Sequence, residues 1–193
     1  MDIRKYKSLK WLYGLIIVFI IFVLSAVVFF TVAPKQIFVE MHNEMDHSKA
    51  LWEDQRIQSY RFLVRYDDSF LTCEEDILVT DGEAAVISSN CKQYHRPPRT
   101  IPDLFSKIEA VIDERKCGFN GCRCDGPIVA KVVYDQEFGF PKETKIDIQP
   151  NQSKLYVEYW LSKWSFIPQP CTLLGIVAPT YEIKDFEPID AMK

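Results

Sequence analysis

Three hydrophobic periods succeed one another along this chain. From Trp11 to Ala33 there are 23 residues without a charge. As a helix rising 1.5 Å per residue, the run covers about 34 Å, enough to cross the hydrocarbon core of a bilayer. After a polar interval, Ser48 to Ile57 favours a short helix with Ser48 as its cap. Tyr60, Phe62, Val64 and Tyr66 then alternate with Arg61, Leu63, Arg65 and Asp67, the two-residue period of a half-buried strand.

Ile77–Thr80 and Ala84–Ile87 are apolar runs joined by Asp81-Gly82, a dipeptide suited to the positive φ angles of a tight hairpin turn. Thr100 caps a second helix, in which Ile101, Leu104, Phe105, Ile108, Val111 and Ile112 recur at three and four. Pro102 fits in its first turn, where a missing N–H costs nothing. Strands are expected at 128–134 and 145–148, around a Phe138-Gly139-Phe140-Pro141 turn. Leu155, Val157, Tyr159 and Leu161 alternate with Tyr156, Glu158 and Trp160, which predicts a last strand greasy on both faces. The fold class is α+β: an N-terminal transmembrane helix, then a largely antiparallel sheet with helices packed on one face.

Charge orients the apolar run. Arg4, Lys5, Lys7 and Lys10 precede it, whereas Lys35 is followed by Glu40, Glu44 and Asp46. The basic flank predicts a cytosolic tail over 1–10, a span over 11–33, a stalk over 34–47 and an extracytoplasmic domain over 48–193. Trp11 and Tyr13 stand where an interfacial aromatic belt would. A cleaved signal peptide, cut after Ala33 with Thr31 as the other small residue, is the competing reading. It suffers from a run much longer than the usual 7 to 15 residues and from Pro34 just past the cut. Gly14, Ser25 and Ala26 are too scattered to define a helix-packing face in the span.

Beyond residue 10 the chain has 19 basic and 26 acidic residues. That sign, and the lack of an Arg/Lys stripe interleaved with aromatics, disfavours nucleic acid as a partner. The expected partners are the lipid bilayer through residues 11–33 and a protein or envelope component.

All six cysteines, Cys73, Cys91, Cys117, Cys122, Cys124 and Cys171, follow the apolar run, and an even count on that side reads as a disulfide framework. Folding the hairpin about Asp81-Gly82 puts Cys73 opposite position 90, so Cys73 is expected to pair with Cys91. Cys117, Cys122 and Cys124 share a glycine-bearing loop to which Cys171 is expected to pin the C-terminal segment. The rival use of that loop is a thiol- or metal-dependent activity. The loop lacks the Cys-x-x-Cys spacing of zinc ribbons and thiol oxidoreductases.

The order of elements resembles the domain of unknown function 6174 family, small secreted or membrane-anchored proteins. The likeness is carried by Trp52, Ile57-Gln58-Ser59-Tyr60 with Phe62, Cys73, Asp81-Gly82, Thr100-Ile101-Pro102-Asp103-Leu104-Phe105 with Ile108, Val133-Tyr134-Asp135, Gly139-Phe140-Pro141 and Ile146-Asp147. It covers about 51–148 and implies no assigned chemistry. The same aromatics at helix and strand spacing also read as core.

Catalytic candidates are sparse. Cys91 and His95 are a thiol and an imidazole four apart, but a bridged sulfur attacks nothing. His42 and His47 lack the frame of a metal site. Glu74-Glu75-Asp76 on a strand must point to alternating faces and is expected to be a solvated rim. Asn151-Gln152-Ser153 fits a glycosylation acceptor. No catalytic residue, metal ligand or cofactor is assigned. The expected function is a non-enzymatic binding or envelope-associated scaffold, with Tyr156, Trp160 and Trp164 as the candidate binding aromatics.

Overall fold

A computed structural model of the chain describes residues 3–68, 71–91, 97–118, 120–122, 124–164 and 179–189. The first element, α1, is one helix from Ile3 to Asp54. Its most apolar window has a mean hydropathy of 3.2 and is wholly unburied. It is the one helix among the described residues long and apolar enough to cross a membrane.

The segment expected to be a stalk, 34–47, is part of this helix, and Ser48 lies within it rather than capping a new one. The reason lies in the spacing of its inward residues. Phe38, Met45, Ser48 and Trp52 are buried and Met41 packs against the same core, intervals of three and four that mark one helix face. Pro34 lies inside the helix and forfeits one backbone hydrogen bond. Tertiary packing of the stripe that follows outweighs the loss.

Strands β1 (Tyr60–Asp67), β2 (Thr72–Thr80), β3 (Glu83–Ser89), β4 (Ile128–Tyr134), β5 (Pro141–Ile148) and β6 (Thr180–Pro188) form an antiparallel sheet in the order β3-β2-β1-β6-β5-β4. Helix α2 (Ile101–Glu114) packs with the C-terminal part of α1 on one face. Between β5 and β6 the chain forms a 3-10 turn over Pro150–Leu155 and then helix α3, Val157–Trp164, where a strand over 155–161 was expected. Alternation and helical spacing coincide here, since Val157, Trp160, Leu161 and Trp164 also stand at i, i+3, i+4 and i+7. Pro150, at the start of the 3-10 turn, cannot donate to a strand ladder. Strand β6, which no expectation named, fills the middle of the sheet.

The β1–β6 pairing shifts register between Arg61 and Leu63, opposite Asp185 and Phe186, where Asp185 takes φ 49°. Such a bulge re-aims side chains. Both Ile183 and Phe186 consequently reach the core, and the Phe186 ring lies 4.5 Å from Phe140, 5.6 Å from Tyr60 and 5.8 Å from Trp52. The opposite face of the sheet is solvated and laced with charge. Arg61 donates to both carboxylate oxygens of Asp76 at 3.0 and 2.6 Å, which raises the guanidinium pKa and lowers that of the carboxyl. Exposed pairs of this kind are screened by solvent and contribute little to stability.

Candidate functional site

The residues that carry the family likeness converge on one structural node. Trp52 meets Tyr60 edge to face at 5.3 Å. The Tyr60 hydroxyl accepts the Ile101 N–H at 3.0 Å, while Thr100 and Asp103 complete a reciprocal capping box at the start of α2. Burial pushes the Tyr60 hydroxyl up to about 12. Ser59 Oγ accepts the Asp81 N–H, and the Gln58 carbonyl accepts the Gly82 N–H, so this segment also holds the hairpin turn.

Asp135 organises a second turn of the motif set. Its Oδ1 accepts the Glu137 and Phe138 N–H groups at 3.0 and 2.9 Å. Gly139 has φ +80°, and a Cβ there would collide with the Ser48 carbonyl of α1. Every one of these groups is used to build the fold, and α1 is a party to two of the contacts.

Cys73 and Cys91 form a disulfide with Cα atoms 4.9 Å apart. Cys117 and Cys122 form another at the same Cα separation. Cys124 is also disulfide-bonded, and no cysteine among the described residues is free. A bridged sulfur offers no thiolate to a metal or a substrate. Cys171 and His95 lie outside the described residues, as does the pinning of the C-terminal segment. The loop from Cys117 is fixed internally: the buried Asp125 carboxylate accepts the Asn120 N–H at 2.7 Å, and Gly118 N–H donates to the Gly126 carbonyl.

His42 Nε2 lies 3.2 Å from Asp46 Oδ2 on the outer side of α1, and His47 is exposed. The acidic triplet is not a uniform rim. Glu74 and Asp76 face outward, whereas Glu75 is 1 % exposed on the core side. Ser89 Oγ donates to Glu75 Oε1 at 2.8 Å, and Arg99 Nε stands 3.5 Å from Oε2. Strand alternation drives the middle carboxylate inward, and the opposed guanidinium makes that tolerable.

Two of the surface clefts lie at opposite ends of the part of α1 that packs into the domain. Near the Trp52 end, Phe138, Phe140 and Phe186 line an open cleft of about 390 Å³ rimmed by Asp135, Lys142, Lys184 and Asp185. Sequence reading missed it because the bulge that delivers Phe186 lies in the unanticipated strand β6. At the other end, Tyr156 and Val157 face Phe30, Pro34 and Phe38 of α1 across a cleft of about 330 Å³ that Lys35, Arg115 and Glu158 also line. Arg115 stands over the Phe38 ring at 5.9 Å. Tyr156 is half-buried, and its hydroxyl pKa is raised by that burial and by the Glu158 carboxylate. Trp160 is exposed on α3 and donates its indole N–H to the Lys154 carbonyl at 2.8 Å. Trp164 ends α3, and its side chain lies outside the described residues. The candidate aromatics Tyr156 and Trp160 thus sit at the α1 end nearest the apolar run, away from the Phe138 cleft.

No curated protein and no solved structure matches the chain significantly. A family match spans residues 44–163, from the core-facing half of α1 to the end of α3, and stops short of β6. The chain belongs to the family of unknown function DUF6174.

Proposed function

We propose that this protein is a membrane-anchored, extracytoplasmic, non-enzymatic domain that holds a binding surface at a fixed height above the bilayer. The observation that carries the reading is the continuity of α1. The same helix that offers an unburied apolar run also supplies Phe38, Met45 and Trp52 to the core. No joint therefore separates anchor from domain. From Ala33 to Trp52 the helix rises about 29 Å, which sets the height of the Phe138/Phe140/Phe186 cleft near its far end.

An open cleft with the partly exposed Phe138 and Phe186 framed by mixed charge suits a protein or envelope component better than a small metabolite. The basic flank before Trp11 supports a cytosolic N-terminus, and the disulfides support an oxidising compartment for the domain.

Fusing a reporter that matures only under oxidising, extracytoplasmic conditions to either end of the full chain tests the topology. Activity is expected from the C-terminal fusion alone, with the chain remaining in the membrane fraction after alkaline extraction. Activity from the N-terminal fusion, or release of the chain as a shortened soluble product, overturns the reading.

A further inference from the structure

The apolar face of α3 stays part-exposed among the described residues, and its position points to a partner outside them. Val157, Trp160 and Leu161 are 43 %, 40 % and 58 % exposed. With Trp164 they stand at i, i+3, i+4 and i+7, one stripe along a helix of eight residues. Glu158 and Lys163 lie off that stripe, and Lys163 Nζ stands 5.7 Å from the Tyr159 ring.

The level of this helix is fixed by what its first turn faces. Tyr156, Val157 and Glu158 share a cleft with Phe30, Thr31, Pro34 and Lys35. Phe30 and Thr31 belong to the last turn of the uncharged run, and Lys35 is the first charge beyond it. If the run crosses the bilayer, its final turn lies at the boundary between acyl chains and headgroups. The start of α3 then lies at that boundary too.

We propose that α3 is an interfacial membrane helix, its Val157/Trp160/Leu161 stripe seated in the headgroup layer of the leaflet from which α1 emerges. The proposal rests on the reading of α1 as a membrane span. Composition supports a bilayer as the occupant. Tryptophan is enriched at membrane interfaces, where its ring is apolar and its N–H polar. Short amphipathic helices rich in such residues lie in that layer with the apolar face turned inward. Charge agrees: the chain beyond residue 10 is acidic as a whole, yet Lys35, Arg115, Lys154 and Lys163 gather on and beside this helix against Glu158. A second contact of this kind fixes the tilt and rotation of the domain, which a single span leaves free.

A photoreactive aromatic amino acid is placed singly in the full chain, reconstituted in phosphatidylcholine/phosphatidylglycerol nanodiscs. It replaces Leu161, Leu24 in the apolar run, or Val133 at a site 56 % exposed on the sheet. All three positions are exposed, so folding is preserved. Lipid adducts are expected at 24 and 161 to a similar extent and to be lost at 133. Adducts at 24 but not at 161, or adducts at 161 to a second copy of the chain, overturn the proposal while leaving the span intact. Absence of adducts at 24 defeats the anchoring reading itself.

Discussion

Replacing Phe38 by alanine separates a domain built on the helix that carries the apolar run from one hung on a tether. Phe38 is 2 % exposed, lies in the core cluster with Met45 and Trp52, and has the Arg115 guanidinium over its ring at 5.9 Å. Truncating a buried phenylalanine costs about 3 to 5 kcal/mol in lost burial and cavity formation. The cation over the ring adds roughly 0.5 to 1 kcal/mol at a partly exposed site. Helix propensity acts in the opposite direction, because alanine is the better helix former by several tenths of a kcal/mol. A tether residue would therefore show no loss or a slight gain. The assay is urea unfolding of the full chain in detergent micelles, followed by near-ultraviolet circular dichroism, with the unchanged apolar run keeping both proteins in the micelle. A loss of about 3 kcal/mol or more is expected. A change below roughly 0.5 kcal/mol, the usual range for surface substitutions, refutes the packing of residues 34–54 into the domain.

Gly139→Ala combines a left-handed φ with a collision against the Ser48 carbonyl. It should destabilise by more than about 1 kcal/mol in the same unfolding assay. Arg99→Ala removes the cation facing the buried Glu75 carboxyl and is expected to cost about 1 to 3 kcal/mol, whereas Glu75→Gln in the Arg99→Ala background recovers part of that loss. Unfolding midpoints of the three proteins decide it. Tyr60→Phe leaves the Ile101 N–H without its acceptor and should cost about 1 to 3 kcal/mol at neutral pH. The raised pKa of Tyr60 has a definite sign. The folded state favours the protonated phenol, so its contribution is complete below the unfolded value near 10 and is lost as pH rises through about 12. Spectrophotometric titration of phenolate should show several late-ionising tyrosines, since Tyr66, Tyr134 and Tyr156 are also raised, and one fewer of them in Tyr60→Phe.

The sheet-forming half of the fold was legible because each signal was local. Asp81-Gly82 names its turn, Thr100 and Pro102 name their helix start, and the Tyr60–Tyr66 alternation matches the buried and exposed faces of β1. Three features escaped for different reasons. The stripe Phe38, Met41, Met45, Ser48 and Trp52 contains a serine and follows a proline, which disguised helical spacing as a polar interval. Residues 155–161 satisfy periods of two and of 3.6 at once, and only the preceding 3-10 turn chooses between them. Strand β6 is plain alternation from Tyr181 to Ile183, but its place between β1 and β5 is a long-range pairing that no local pattern encodes. Candidate sites followed the same rule. Tyr156 and Trp160 were named as aromatics, but their nearness to Phe30 and Lys35 required the fold. The cleft at Phe186 depends on a bulge at Asp185 that leaves no sequence signature of its own.

The central claim is that the apolar run of α1 and the domain move as one body. Paired spin labels, carried by noncanonical amino acids at the exposed positions Val28 and Glu53 of α1, measure it in the full chain in nanodiscs. With a separation of 25 positions, an unbroken helix predicts one narrow distance distribution at about 37 Å. A broad or multi-peaked distribution would show a joint between residues 28 and 53, and the fixed-height account would fail.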